Sequence, residues 1–190
     1  MKAVVVFCGS ASGNDQSYKD ATVKLGKWLV EHKLDLVYGG GGVGLMKLLA
    51  ETVLNDGGQV HGVTTKALYA RGSSFTNLSD LKVVSDMDIR KKTMFEMSDG
   101  YIALPGGPGT LEEVATGFSW ARLGDYAGAN VLYNVNGYYD SLETLFDEMT
   151  EKGFLTKTDR QKLLFSDSLD DIYQFMDTYT PPKIRTYDKK

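Results

Sequence analysis

The chain has 190 residues, 42% of them hydrophobic and 24% charged, a composition typical of a soluble globular protein with one sizeable core. Its formal net charge of −4 argues against a nucleic-acid partner, because contacts to a phosphate backbone need clustered lysines and arginines. The single cysteine, Cys8, excludes an internal disulfide and suits a reducing compartment.

The sequence shows no targeting or metal-binding signal. No apolar stretch has the length of a signal peptide or a membrane span, so we expect a cytoplasmic, unprocessed chain with no membrane partner. Neither His32 nor His61 has a partner at metal-ligand spacing, and no metal site is predicted. Cys8 follows an apolar run and is interpreted as a buried small side chain rather than a nucleophile.

Short β-branched runs alternate with segments of helical period along most of the chain. In chain order, the pattern predicts a strand at 2–7, a helix over 18–29, a strand at 34–38, a helix over 45–53, a strand at 60–64, a loop with a short helix over 66–80, a strand at 81–84, a helix over 88–98, a strand at 101–104, a helix over 110–123, a strand at 130–133, and helices over 138–152 and 168–178. No element is predicted for residues 153–167.

This alternation, without a composition break, predicts one α/β domain over residues 1–178 and a polar tail at 179–190. It is typical of a Rossmann-like, doubly wound parallel sheet with helices on both faces. Ligands bind such sheets at the carboxyl ends of the strands, and three glycine-rich loops fall there: residues 9–13, 39–44 and 105–110.

The third loop carries the most information. Gly106, Gly107 and Gly109 would leave backbone amides free, and the following helix would add its positive dipole end and the Thr110 hydroxyl. This combination predicts a cradle for a monophosphate. The same segment also matches a capping box, in which Glu113 bonds back to the Thr110 amide, and spacing alone favours that cap over a catalytic role for Glu113.

Arg90 and Lys91 lie near the start of a predicted helix. Basic residues are unfavourable at a helix N-terminus, so Arg90 there suggests an anionic partner. The alternative is a solvated charge or a surface ion pair, which is the more common case. Nearby methionines, Met87 among them, and Trp120 are interpreted as packing residues when spacing alone is considered.

Taken in order, several motifs resemble one known family. They are Phe7-Cys8-Gly9-Ser10, Val37-Tyr38-Gly39-Gly40-Gly41, Gly44-Leu45-Met46, Met87-Asp88-Ile89-Arg90-Lys91, Pro105-Gly106-Gly107-Pro108-Gly109-Thr110-Leu111-Glu112-Glu113, Ser119-Trp120-Ala121-Arg122-Leu123-Gly124 and Asn136-Gly137-Tyr138-Tyr139-Asp140. Together they resemble the Lonely Guy (LOG) family of cytokinin riboside 5′-monophosphate phosphoribohydrolases, often labelled lysine decarboxylases. The resemblance covers nearly the whole chain up to about Thr178.

The resemblance implies a homodimer that cleaves the N-glycosidic bond of a small-molecule nucleoside 5′-monophosphate of the adenine type, without a metal or organic cofactor. Arg90 and Glu113 match the family's catalytic pair. Candidate substrate-binding positions are Lys91, Gly106, Gly107, Gly109, Thr110, Glu112, Ser119, Met87, Gly41, Ser10 and Arg71. In this reading Glu113 stabilises an oxocarbenium-like ribose and activates water, while Arg90 orients Glu113 or contacts the phosphate.

Three positions depart from the family pattern. Asp88 stands where the family commonly has histidine, Gly72 where it has glutamate after Arg71, and Lys47 where it has glycine. The missing glutamate bears on base and prenyl preference rather than on reaction type. The alternative function is a non-catalytic carrier of a nucleotide or molybdenum cofactor on the same fold, which needs the cradle but no carboxylate facing the ribose. Lysine decarboxylation is disfavoured, since no lysine stands out for a Schiff base.

Overall fold

The computed structural model describes residues 1–184, so residues 185–190 of the predicted tail lie outside the described residues. In chain order the elements are β1 (Ala3–Phe7), α1 (Gln16–Glu31), β2 (Asp35–Tyr38), α2 (Gly44–Asn55), β3 (Val60–Thr65), α3 (Lys66–Ala70), β4 (Asp80–Val84), α4 (Met87–Glu96), β5 (Gly100–Ala103), α5 (Pro108–Leu123), β6 (Ala129–Tyr133), α6 (Asp140–Glu151), α7 (Lys157–Arg160), β7 (Leu163–Ser166) and α8 (Leu169–Asp177). A short 3₁₀ turn, Val135–Gly137, precedes α6.

Residues 1–184 form a seven-stranded sheet with strand order β4-β3-β2-β1-β5-β6-β7. Every neighbouring pair is parallel. The chain builds outward from β1 in one direction, then returns and builds outward from β5 in the other, so the order reverses between β1 and β5. This arrangement confirms the predicted doubly wound α/β fold. Crevices at such a reversal point are where these sheets bind ligands.

Helices cover both faces of the sheet. Val4 and Val6 of β1 face one hydrophobic core, which contains residues of α1, α2 and α8. Val5 and Phe7 face a second core, built with residues of α4, α5 and α6. Because the central strands are buried on both sides, they read as continuous apolar runs in the sequence rather than as alternating ones.

Strand β7 was not predicted. It is a four-residue strand at the end of the sheet, and only Leu163 within it is fully buried. A short edge strand that is half covered leaves a weak hydrophobic signal, so periodicity alone did not separate it from a loop. The predicted helix over 138–152 begins at Asp140 instead, because Asn136 at φ 52° and Gly137 at φ 69° form a turn first.

The chain after α8 continues to pack on the domain. Tyr179 lies against the core beside α8, and its hydroxyl accepts a 2.7 Å hydrogen bond from Nδ2 of the buried Asn130. Among the helices of residues 1–184, none combines the length and apolar character needed to cross a bilayer.

Candidate active site

The glycine-rich loops meet at the carboxyl ends of β1, β2 and β5. The Gly9 amide donates to the Pro105 carbonyl (3.1 Å), and the Leu45 amide at the start of α2 donates to the Gly9 carbonyl (3.1 Å). A cavity of about 250 Å³ lies between the first and third loops, and Ser10 and Gly106 are among its lining residues. The cavity therefore sits at the reversal point of the sheet, where the fold predicts ligand binding.

Helix α5 begins two residues earlier than predicted. Pro108 is its first residue, and Gly107 is the N-cap and makes no side-chain capping bond. Proline favours the first helical position, because its φ angle suits a helix and the amide it lacks would have no partner there. Thr110 is consequently buried inside the first turn, and the capping box with Glu113 is wrong. Glu113 is free for a different partner.

The third loop presents unpaired amides. Within residues 1–184, neither the Gly106 amide nor the Gly107 amide has a backbone acceptor. A Cβ on Gly106 would collide with the Thr110 hydroxyl, whereas a Cβ on Gly107 or Gly109 would meet nothing within 4 Å. Open space beside free amides at a helix N-terminus is an arrangement that binds phosphate oxygens.

Arg90 of α4 is held from three sides. Its side chain lies under β3 and is only 8% exposed; Nε donates to the Val63 carbonyl (2.8 Å) and Nη2 to the Gly39 carbonyl (3.2 Å). Nη1 donates to Oε1 of Glu113 on α5 (3.4 Å). Any side chain at Gly39 would collide with Nη2, so glycine at that position is a condition for placing the guanidinium.

Glu113 is a buried carboxyl whose side chain is 12% exposed. Burial raises its pKa from 4.5 to about 7, although the neighbouring Arg90 cation lowers it, and the Glu112 carboxylate adds a smaller rise. Its proton therefore exchanges near neutral pH. A carboxyl with this property inside a crevice is a candidate acid or base.

Lys91 is the second buried cation of α4. Its Nζ lies 2.5 Å from Oε1 of Glu112 and 3.2 Å from Oδ1 of Asp88. The hydrogen bond to Glu112 raises the pKa of Lys91, so this ammonium stays charged. Asp88, which departs from the family pattern, thus supplies a second carboxylate to Lys91 at the exposed start of the helix.

The other predicted site residues are more scattered. Ser10 lines the cavity, Met87 is exposed at the first position of α4, and Gly41 forms an isolated antiparallel bridge with Ser74. Ser119 is exposed on α5, about 9 Å further along the helix than Glu113 by its six-residue spacing. Arg71 is exposed at the C-terminus of α3. The structure gathers the Arg90–Glu113 and Lys91–Glu112 pairs and the third loop, but not Ser119.

Several groups that shape the site were missed. The Val63 and Gly39 carbonyls hold Arg90, and backbone acceptors leave no trace in a motif. Two tyrosine hydroxyls, from Tyr138 and Tyr139, bond to the carbonyls of Gly106 and Leu104. The two tyrosines belong to a motif of the family resemblance, but the sequence does not indicate which carbonyls their hydroxyls bind. Within residues 1–184, no group of three or more His, Cys, Asp or Glu side chains is placed to hold a metal ion.

Comparison with solved structures supports the fold. The molybdenum cofactor binding protein of Rippkaea orientalis superposes with a TM-score of 0.67 at 15% identity, covering 94% of this chain and 97% of that one. The Moco carrier protein of Chlamydomonas reinhardtii gives a TM-score of 0.60 at 19% identity, covering 76% of this chain and 83% of that one. At such low identity the likeness concerns the fold alone.

Comparison of sequences is more specific. A family model described as "Possible lysine decarboxylase" matches residues 46–176. Cytokinin riboside 5′-monophosphate phosphoribohydrolase LOG1 of Arabidopsis thaliana is 42% identical, over 100% of this chain and 89% of that protein. LOG7 of the same plant is 41% identical, over 95% of this chain and 83% of that protein. With matches of this extent and identity, the chain belongs to the LOG family of cytokinin riboside 5′-monophosphate phosphoribohydrolases.

Proposed function

We propose that this protein hydrolyses the N-glycosidic bond of adenine-type nucleoside 5′-monophosphates, AMP and cytokinin riboside monophosphates among them, and releases the free base and ribose 5-phosphate. The observation that carries the proposal is the buried Arg90–Glu113 pair, 3.4 Å apart, which joins α4 to α5, the helix that begins at the glycine cradle. A carrier would need the cradle but not a buried carboxylate beside it.

Glu113 acts on the ribose in this proposal. Cleavage builds positive charge on the ring, as in glycoside hydrolysis, and a carboxylate near the ring stabilises that charge. As the water oxygen bonds to C1′, Glu113 takes up the water proton. The electron pair of the broken bond leaves with the base, which then gains a proton. A carboxyl with a pKa of about 7 can both accept and return a proton near neutral pH.

Arg90 acts through Glu113. Two of its nitrogens are committed to the Val63 and Gly39 carbonyls, and the third faces Glu113. With its donors directed this way, the guanidinium orients the carboxylate and opposes the rise in its pKa. Of the two roles that the resemblance allows for Arg90, we therefore propose the orienting role rather than phosphate contact.

The glycine cradle holds the 5′-phosphate. The free amides of Gly106 and Gly107, the start of α5 and the Thr110 hydroxyl supply donors for a dianion. Anchoring the phosphate fixes the ribose for attack, so binding energy remote from C1′ contributes to the rate. The other candidate positions remain proposed substrate contacts: Lys91, Gly109, Glu112, Ser119, Met87, Gly41, Ser10 and Arg71.

The proposal includes a cytoplasmic homodimer without nucleic-acid or membrane partners. Support for a dimer comes from α5, where residues at four-residue spacing are all exposed: Leu111, Ala115, Ser119 and Leu123. An apolar and small-residue stripe on the outer face of a helix suits contact with a second copy. The single cysteine and the net charge of −4 support the expected location and the absence of a nucleic-acid partner.

The test is product formation. The protein is incubated with AMP and with isopentenyladenosine monophosphate, and free base and ribose 5-phosphate are quantified by chromatography. We expect equal amounts of the two products from at least one substrate. If neither substrate releases base at high enzyme concentration while both bind, the carrier alternative is correct.

A further inference from the structure

Tyr138 occupies an unusual position beside the third loop. It follows the 3₁₀ turn before α6, and its hydroxyl donates to the Gly106 carbonyl at 2.5 Å. The side chain is 43% exposed, so core packing does not account for its placement. Its ring meets the ring of Tyr18 edge to face, with centroids 5.7 Å apart, and thereby also contacts α1.

Tyr138 completes a row of three occupied carbonyls. The Leu104 carbonyl accepts from the Tyr139 hydroxyl (2.7 Å), the Pro105 carbonyl from the Gly9 amide (3.1 Å), and the Gly106 carbonyl from the Tyr138 hydroxyl. A trans peptide is planar, and its C=O and N–H point in opposite directions. The bond to the Pro105 carbonyl therefore sets the direction of the Gly106 amide, and the bond to the Gly106 carbonyl sets that of the Gly107 amide.

Those two amides are the unpaired donors of the cradle. Gly106 and Gly107 have flexible backbones, since neither carries a Cβ, and an unrestrained Gly106–Gly107 peptide could rotate and turn its N–H away. The Tyr138 hydroxyl opposes that rotation without itself occupying the ligand side of the peptide plane.

The turn that carries Tyr138 has an uncommon backbone conformation. Asn136 is left-handed at φ 52°, a region that few residues with a side chain adopt. Its side-chain amide donates to Oδ2 of Asp15 (3.0 Å), and Asn134 bonds to both Asp140 and the Tyr139 amide. Strained backbone that its surroundings hold in place is characteristic of functional positions.

We infer that Tyr138 is a positioning residue that aims the Gly107 amide at the substrate phosphate by holding the Gly106 carbonyl. The inference rests on the proposed function for the identity of the ligand. Tyr138 acts on phosphate binding and not on the chemistry at C1′. Its loss weakens the binding of any ligand with a 5′-phosphate, and leaves a nucleoside without phosphate unaffected.

The experiment compares wild type with Tyr138→Phe, which removes one hydroxyl and keeps the ring. The matched control is Tyr173→Phe, which changes an exposed tyrosine of α8. Isothermal titration gives the Kd for ribose 5-phosphate, and turnover of AMP gives KM and kcat. We expect Tyr138→Phe to raise Kd and KM about threefold to tenfold, which corresponds to the net contribution of one hydrogen bond. We expect kcat and the unfolding temperature to remain unchanged.

The measurements distinguish failure of the role given to Tyr138 from failure of the proposed function. An unchanged Kd for ribose 5-phosphate in Tyr138→Phe, with AMP turnover intact, overturns the inference alone. A parallel fall in kcat and unfolding temperature, without a change in Kd, assigns Tyr138 a purely structural role. A wild type that binds ribose 5-phosphate but does not cleave nucleotides overturns the proposed function while leaving the Kd comparison valid. A wild type that does not bind ribose 5-phosphate overturns the cradle and the inference together.

Discussion

At the scale of single residues, two opposing effects act on the charge of Glu113, the carboxyl at the centre of the proposed mechanism. Burial favours the neutral acid and the Arg90 cation favours the carboxylate, and burial prevails, with a resulting pKa of about 7. A solvated glutamate would be fully ionised at neutral pH and a weaker base. The cost of burying this carboxyl is consistent with a functional role rather than a stabilising one.

This pKa predicts the pH dependence of turnover. In the proposed mechanism, protonation of Glu113 removes both the negative charge that stabilises the ribose cation and the proton acceptor. We therefore expect kcat to fall as pH decreases through about 7 and to level off above it. The measurement is kcat for AMP from pH 5 to pH 9 at saturating substrate, since the substrate phosphate itself titrates at about 6. A flat profile over this range would contradict the role given to Glu113.

At the scale of elements, the site depends on loops that bring α4 and α5 against the strand ends. Gly39 belongs to the loop after β2, yet its carbonyl and its lack of a side chain place Arg90. Gly107 belongs to the loop after β5 and has open space around it. Two glycines of the same site thus have different physical reasons to be glycine.

Alanine substitutions at Gly39 and Gly107 should have different effects on turnover and on phosphate binding. Gly39→Ala forces the guanidinium away from Glu113, and a displacement of about 1 Å can reduce the rate roughly 100-fold. Gly107→Ala meets no protein atom within 4 Å, so we expect an unchanged unfolding temperature and weaker phosphate binding. Thermal unfolding and steady-state kinetics of both variants check this contrast. Equal effects of the two substitutions on kcat would show that Gly39 does not place Arg90.

Sequence patterns predicted most elements because buried parallel strands and amphipathic helices leave clear periodic signals. They failed where the signal is local geometry. Helix α5 begins at Pro108, two residues earlier than predicted, and the capping box does not form. The edge strand β7 is too short and too exposed to give a detectable hydrophobic pattern. The contact between Arg90 and Glu113 spans 23 residues of chain and depends on two backbone carbonyls. Only the family resemblance pointed to that pair.

At the scale of the whole molecule, the exposed face of α5 is the proposed contact between two copies. Leu123 at the end of α5 is 55% exposed. If this face joins two copies, Leu123→Glu places a charge in the contact and dissociates the dimer. Light scattering after gel filtration should give twice the chain mass of 20.9 kDa for wild type and the single mass for the variant.

The matched control is Phe154→Glu. Phe154 is 77% exposed, between α6 and α7, so the same change there leaves the dimer intact. A monomeric wild type would rule out the homodimer. A dimer that persists in Leu123→Glu would place the interface on another surface.

The centre of the sheet and one side of it contribute different parts of the proposed machinery. Loops after β1 and β5 form the cradle at the reversal point, whereas Arg90 is held by β3 and the loop after β2. Glu113 links the two parts, because it lies on α5, which begins at the cradle, and accepts a hydrogen bond from Arg90. The proposed catalysis requires the carboxylate in addition to the cradle, and this requirement separates a hydrolase from a carrier of the same fold.

The most direct measurement of that claim is adenine release from AMP at pH 8 by wild type and by Glu113→Gln, with ribose 5-phosphate binding measured on both. We expect equimolar adenine and ribose 5-phosphate from wild type. In the variant we expect turnover to fall on the order of 10²–10⁴-fold, the contribution typical of a general base, with ribose 5-phosphate still bound. Equal adenine release by the two proteins, or none by wild type, would show that Glu113 is not the catalytic base.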